Sequence, residues 1–379
     1  MKIETLKESL KNGLQIIDRA VAAKNLTLPV LDNVLISAED NFLNLSATDL
    51  ETAIKVWILV KIINKGKVAV PAKFLSNFIS LLPNDKIILE EKKQGLYVEC
   101  KNFKNQIQGV NPDEFPLIPE FENEEPLSFD ARNFSQGLAQ VVDVASLSQS
   151  RPEISGIYFS FSKNSIKMVA TDSFRLAEKT INLESPTKKD VSFILPQRPA
   201  KELINILDGV GEATNGKVNI YFSPNQTMFE VPMKETDHPQ IQLISRLIEG
   251  EYPNYEEIVP KKFKTHTIIK RDEFINQVKA TSLFSGKINE VKIRVNPASK
   301  EIEVSAQDPD IGESHSNIAA KIDGDAIEAS FNHKFLLDGL LNIKSSEVAF
   351  DFSKEDGPCL LKPVGDASYI YVVMPIKSA

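Results

Sequence analysis

Three aspartates recur at the ends of similar strand-like stretches: Ser46-Ala47-Thr48-Asp49, Val169-Ala170-Thr171-Asp172 and Ser305-Ala306-Gln307-Asp308. Carboxylates suit general acid or base work, but each must come within hydrogen-bond reach of the proton it moves. Acids at matching places in separate repeats stand too far apart to act as a pair, so these read as turn or strand-end acceptors. A second motif, Gly211-Glu212-Ala213-Thr214-Asn215-Gly216-Lys217-Val218, has the glycine and lysine spacing of a phosphate-binding loop. Val218 stands where such a loop needs Ser or Thr to hold magnesium. The order is inverted as well: a helix is expected to end near Leu207 and a strand to begin at Val218, whereas phosphate loops run from strand into helix. A flexible helix-to-strand turn accounts for the motif.

The remaining reactive side chains form no constellation. Cys100 and Cys359 lie far apart, and His238, His266, His315 and His333 have no metal-ligand spacing, so neither a disulfide scaffold nor a bound metal or other cofactor is expected. A nucleotide-binding or hydrolytic enzyme built on duplicated domains is the alternative to a binding protein, and it lacks its catalytic residues. The N-terminus has no apolar leader, and the run Val56 to Ile63 is short and interrupted by Lys61. A cytoplasmic protein with no membrane contact is expected.

The elements that carry these residues repeat. Val34, Ile36, Leu43 and Leu45 recur 123 residues later as Ile157, Phe159, Ile166 and Met168, and Pro29 recurs as Pro152. Val291, Ile293, Ile302 and Val304 follow the same order in a third copy. Each copy of this size is long enough to bury its own core, and 42% hydrophobic with 25% charged residues is ordinary for a globular chain. The spacing predicts a helix opening each copy. It carries Leu6, Leu10, Leu14, Ile17 and Val21 in the first copy, begun by a Thr5 to Glu8 capping box, Phe134, Leu138, Val141 and Ala145 in the second, and Phe274, Val278 and Leu283 in the third. A second helix carries Phe74, Phe78, Leu81 and Leu82, then Leu203, Ile204 and Leu207, then Phe335, Leu336, Leu340 and Ile343. Between them, stretches such as Phe42 to Leu45, Ser155 to Phe161 and Glu301 to Val304 alternate as half-buried antiparallel strands do. The fold class is therefore α+β with three similar domains, 1–125, 126–254 and 255–379. The boundaries lie at the clusters Asp113 to Pro116 with Glu120 to Glu125, and Glu249 to Pro253. Val231 to Ser245 reads as an exposed loop.

Charge is uneven. The helix segments 6–24, 73–82, 130–146, 197–207, 270–285 and 331–344 together carry +5 in a chain of −8. Solvated helix faces are the simpler reading of that excess taken alone. Helices gathered toward a nucleic acid are the other.

With these residues in view, the chain resembles the β subunits of bacterial DNA polymerase III, the sliding clamps. The likeness rests on Thr27-Leu28-Pro29-Val30-Leu31, Ala47-Thr48-Asp49-Leu50-Glu51, Ala170 to Ala177, Tyr252-Pro253-Asn254-Tyr255 and Tyr371-Val372-Val373-Met374-Pro375, in the family's order over essentially the whole length. The resemblance implies a non-catalytic processivity factor of the polymerase holoenzyme. In the DNA clamp fold it implies, helices line a central hole, antiparallel sheets lie outside, and two chains form a ring-shaped head-to-tail homodimer. Double-stranded DNA would be held without regard to sequence, facing Lys11, Lys24, Lys73, Gln149, Arg151, Arg198 and Lys201. A groove of Ile154, Thr171, Phe174, Leu176, Pro253, Ile258, Phe335, Val372, Met374 and Pro375 would take peptides of the polymerase catalytic subunit, the clamp loader and other clamp-binding-motif proteins. The dimer interface would use Lys73 and Lys104 facing Asp310 and Glu313, with Ile107 near Leu283 and Phe284. Phe174, where some relatives carry His, and Lys377, where Arg is common, depart from the family pattern.

Overall fold

The computed structural model describes residues 1–21, 28–121, 125–148, 150–183, 190–210, 216–234, 236 and 238–377. The same order of elements appears three times. The first copy runs β1 (Lys2–Leu6), α1 (Lys7–Ile17), β2 (Asn33–Glu39), β3 (Phe42–Thr48), β4 (Thr52–Leu59), an additional β5 (Lys61–Asn64), β6 (Gly66–Pro71), α2 (Ala72–Leu81), β7 (Lys86–Lys92), β8 (Gly95–Cys100) and β9 (Phe103–Gln108). The second runs β10 (Leu127–Asp130), α3 (Ala131–Val141), β11 (Gly156–Ser162), β12 (Ser165–Thr171), β13 (Arg175–Asn182), β14 (Val191–Pro196), α4 (Gln197–Val210), β15 (Lys217–Phe222), β16 (Gln226–Pro232) and β17 (Pro239–Arg246). The third runs β18 (Thr265–Lys270), α5 (Arg271–Ser282), β19 (Glu290–Asn296), β20 (Glu301–Asp308), β21 (Gly312–Gly324), β22 (Ile327–Asn332), α6 (His333–Asn342), β23 (Glu347–Phe352), β24 (Cys359–Pro363) and β25 (Tyr369–Val373).

Two compact units result, 1–135 with 198–247 and 136–197 with 248–379. In the first unit, a five-stranded sheet has the order β5-β1-β7-β8-β9, and an eight-stranded sheet the order β10-β15-β16-β17-β4-β3-β2-β6. In the second unit, one twelve-stranded sheet runs β14-β11-β12-β13-β25-β24-β23-β18-β21-β20-β19-β22. Each unit thus contains one seam between copies: β17 of the second pairs with β4 of the first, Ile241 opposite Val56, and β25 of the third pairs with β13 of the second, Val372 opposite Leu176. The last strand of one copy meets the third long strand of the copy before it.

Core packing follows the alternation. Val34, Ile36, Leu43 and Leu45 are fully buried, as are Ile157, Phe159, Ile166 and Met168. Close helix-to-sheet approach recurs too: a Cβ on Gly13 of α1 would meet Ile58 at 2.6 Å, and one on Gly137 of α3 would meet Ile181 at 2.7 Å. Glycine at both places lets the helix settle onto its sheet.

Several expectations are corrected. Thr5 belongs to β1, its hydroxyl has no partner, and α1 starts after Leu6 with no side-chain cap, because pairing with β7 claims the residues a capping box would use. Leu6 is consequently exposed. Helix α2 buries Ala72, Leu75, Ser76 and Ile79, leaving Phe74 58% and Leu81 84% exposed. Leu283 lies past the end of α5 and is 73% exposed. Helix α4 continues beyond Leu207 to Val210. Val231 to Ser245 is no exposed loop: it contains most of β17, with Ile241, Leu243 and Ile244 buried at the seam with β4.

Candidate functional site

Two of the recurring aspartates build the same turn, bond for bond. Asp49 Oδ1 accepts the amides of Glu51 and Thr52 at 3.1 and 2.7 Å, and Thr48 Oγ1 accepts the amide of Leu50 while donating to the Thr52 carbonyl. At the 123-residue offset, Asp172 Oδ1 accepts the amides of Phe174 and Arg175 at 2.9 and 3.0 Å, and Thr171 Oγ1 accepts from Ser173 and donates to the Arg175 carbonyl. Leu50 and Ser173 share φ of 76° and 78°. Non-glycine residues rarely adopt that left-handed conformation, and here side-chain acceptors hold it. The third copy has Pro309 at this place, whose ring forbids positive φ, and Asp308 Oδ1 still accepts the amide two residues on, that of Asp310. These carboxylates are turn acceptors.

In the second unit this turn presents Phe174 and Arg175. Phe174 is 62% exposed, its ring stacks on Phe335 of α6 at 6.4 Å between centroids, and its carbonyl accepts the Met374 amide at 2.9 Å. The Arg175 guanidinium lies 4.6 Å over the Phe335 ring, donates to Asp172 Oδ2 at 2.9 Å and to the Asp143 carbonyl at 3.2 Å, and pairs with Asp338. Charge, stacking and hydrogen bonds together fix the two phenylalanine rings. The tail after β25 is pinned twice, by Met374 to Phe174 and by the Ile376 amide to the Ser330 carbonyl at 2.7 Å.

The expected groove residues divide by exposure. Thr171, Leu176, Val372 and Pro375 are buried, and Leu176 and Val372 pack with Val169, Tyr255 and Leu360. Phe174 and Ile258 are exposed, while Pro253, Phe335 and Met374 are partly so. Pro253 and Ile258 flank Tyr255 on the segment that packs against this cluster. Ile154 is buried in a short turn, 152–154, beside β11. The open members of this set are therefore Phe174 and Ile258, with Pro253, Phe335 and Met374 partly so, and the buried ones lie beneath them. Arg175 and Asp338, which orient Phe335, are additions that motif spacing could not supply, because 163 residues separate them.

Among the expected DNA-facing residues, Lys24 and Gln149 lie outside the described residues. Lys73 is exposed on α2, and Lys11 is half-buried beside Glu8 at 3.9 Å. Arg151 donates to Glu153 and Ser173. Arg198 donates to Asp49 Oδ2 at 2.7 Å, so its charge is largely answered within the chain, and Lys201 is exposed on the same helix. Among the expected interface residues, Lys104 pairs with Glu99 at 3.1 Å, and Ile107 is buried opposite Leu96 in its own sheet. Leu283, Asp310 and Glu313 are exposed, and Phe284 partly so. Phe74, Leu81 and Phe103 are also exposed, although the spacing places Phe74 and Leu81 on an apolar helix face. Among the described residues, no cluster of His, Cys, Asp and Glu is arranged to hold a metal, and no helix is long and apolar enough to cross a membrane.

Residues 1–119, 129–254 and 256–377 match the family models of the N-terminal, central and C-terminal domains of the DNA polymerase III beta subunit. The beta sliding clamp of Synechocystis is 26% identical over 402 aligned residues, spanning 100% of this chain and 99% of that one. The beta sliding clamp of Staphylococcus aureus is 27% identical over 362, spanning 93% of each. The crystal structure of the DNA polymerase sliding clamp from Bacillus subtilis superposes with a TM-score of 0.93 at 26% identity, over 100% of both chains. The beta subunit of Streptococcus pyogenes shares the fold, with a TM-score of 0.92 at 23% identity and full coverage of both chains. The chain belongs to the DNA polymerase III beta subunit family, the sliding clamps that act in DNA replication as non-catalytic processivity factors.

Proposed function

We propose that two copies of this chain close head to tail into a ring of six similar domains, 1–125, 126–254 and 255–379 in each, around double-stranded DNA in the cytoplasm. One observation carries the reading. Each seam joins the last strand of one copy to the third long strand of the copy before it, which leaves β9 of the first copy and β21 of the third without a seam partner. Strand β9 is a sheet edge, and residues 312–318 of β21 are paired on one side only, with β20. Two complementary open edges on one chain are satisfied by a second copy in the opposite sense. Exposed apolar residues accompany both edges: Phe103 on β9, and Ile288 and Ile311 by β21, with Leu81 at the end of α2 and Leu283 after α5 exposed as well. Lys73 and Lys104 facing Asp310 and Glu313 set the register. Ile107 serves as support within its own sheet.

Inside the ring, Lys11, Lys24, Lys73, Gln149, Arg151, Arg198 and Lys201 face phosphates weakly. Weak contact suits a protein that must travel, because each phosphate gripped is a contact to be broken at every step. On the outside, Phe174, Phe335, Met374, Pro253 and Ile258 take an apolar anchor of a short peptide from the polymerase catalytic subunit, the clamp loader or other replication and repair proteins, supported by Ile154, Thr171, Leu176, Val372 and Pro375. Truncation from Met374 onward removes the wall tied to Phe174. Titration of a fluorescent clamp-binding peptide is expected to show affinity reduced roughly thirtyfold, about 2 kcal/mol, with the dimer mass unchanged. Unchanged affinity removes the groove assignment.

A further inference from the structure

The first copy holds a cavity of about 540 Å³ between segment 112–120 and the sheet face that carries Leu35, Ser37, Asn44, Lys55 and Trp57. This face is opposite the core residues Val34, Ile36, Leu43 and Leu45. Its volume falls in the range of small-ligand sites. The second copy has the same place, since Tyr158, Ser160 and Lys167 follow Leu35, Ser37 and Asn44 by 123 residues. There the cavity is about 270 Å³, and the chain's own segment 252–256 supplies what the face wants. Tyr252 stacks on Tyr158 at 4.9 Å, Tyr255 meets it edge-on at 6.4 Å, and Glu256 pairs with Lys167 at 3.1 Å. An aromatic ring and a carboxylate thus satisfy an aromatic surface and an ammonium group.

The first copy also carries aromatic rings and an ammonium group here, at other positions of the face, and Phe115 of its crossing segment lines the cavity, but no described carboxylate pairs with the ammonium. Trp57 and Phe42 line the cavity, with His238 stacked on Phe42 at 4.0 Å. Among the described residues, the Lys55 ammonium group makes neither a hydrogen bond nor an ion pair, and Glu120 of the crossing segment acts on it only at longer range. Burial pulls the Lys55 pKa below the ordinary lysine value, the condition of an ammonium group short of partners. Lys67 is already paired with Asp113 at 2.5 Å. We propose that this cavity binds an aromatic monocarboxylate from outside the chain, its ring against Trp57 and Phe42 and its carboxylate on Lys55. Asp40 and Asp113 of the lining are paired with Lys65 and Lys67, while Glu39 and Glu120 repel a phosphate dianion more strongly than a singly charged acid. The inference is independent of ring formation and of the peptide groove.

Trp57 is the one tryptophan of the chain and lines this cavity, so its emission reports on binding there, and the Lys55 and Ser37 variants separate it from the second cavity beside α1 that Trp57 also borders. The full-length protein is titrated with N-acetylphenylalanine, and with a tetrapeptide ending in phenylalanine to separate a free acid from a chain terminus; the C-terminal amide of each probe is the control. A saturable change with at least one acid is expected, with the matching amide at least about tenfold weaker, the size of one lost hydrogen bond to a charged group. Lys55→Met is expected to weaken the acid by a similar factor and Lys167→Met to leave it unchanged. Ser37→Tyr, which narrows the cavity without touching Lys55, is expected to abolish binding and decides the matter if Lys55→Met fails to fold. No saturable change with either acid, equal binding of acid and amide, or full binding by a folded Lys55→Met or Ser37→Tyr overturns the proposal.

Discussion

Asp18 ends α1 with a carboxylate where the helix already presents unpaired carbonyls, and one of its oxygens is buried without a partner. Burial raises its pKa above the ordinary aspartate value, with a hydrogen bond from Ser76 and the charge of Lys73 opposing. The folded state therefore binds this proton more readily than the unfolded one, and stability falls as pH rises through the window between the two pKa values. Asp18→Asn keeps the Ser76 contact and removes the charge. Thermal unfolding is expected to show the variant more stable than wild type at neutral pH, with the gain shrinking as pH falls toward the ordinary aspartate range; identical curves for both proteins at neutral pH contradict it. The turn chemistry of Asp49 and Asp172 was legible because its partners lie two and three residues away. The Arg198 to Asp49 pair was not, because 149 residues separate its members and only the fold brings them together.

Helix α6 sits against β25 through Gly339, where a Cβ would meet the Tyr371 ring at 2.6 and 2.7 Å. The ring is buried and its hydroxyl donates to the Phe335 carbonyl at 2.8 Å, so it has little room to yield. Gly339→Ala is expected to destabilise by about 1 to 3 kcal/mol despite the better helix propensity of alanine. It should also weaken peptide binding, because Phe335 and the tail after β25 move together. An unfolding midpoint at or above wild type would show that Tyr371 repacks freely. Most strands were legible from alternation, since one buried face leaves a period of two. Helix α2 shows the limit: Leu75 and Ile79 lie on one face, Phe74 and Leu81 on another, and periodicity cannot choose between two apolar faces. Strand β17 was obscured by Asp237-His238-Pro239, whose turn chemistry masked the alternation of Ile241 and Leu243 behind it.

At the scale of the whole molecule, the repeat was readable from residue offsets, whereas the seams were not, because strand partners across copies leave no local mark. The seams in turn single out β9 and β21 as the open pair. If a second copy covers them, Leu81→Lys and Leu283→Glu each place a charge in an apolar contact, and sedimentation is expected to show the dimer dissociating at higher concentration, by at least about tenfold, with the fold intact. A substitution pair that leaves the dimer mass unchanged at every concentration would place the interface elsewhere.

In the proposed ring DNA is held by enclosure, with the weak charge of the lining contributing little. The direct test is to load the protein onto nicked circular DNA with a matching clamp loader, remove free protein, and follow retention before and after the circle is cut. Retention is predicted to persist on the closed circle at moderate salt and to be lost promptly on linearisation, since a ring slides off an end. Equal loss from closed and cut DNA, with the rate set by salt alone, would contradict enclosure and leave ordinary electrostatic binding as the explanation.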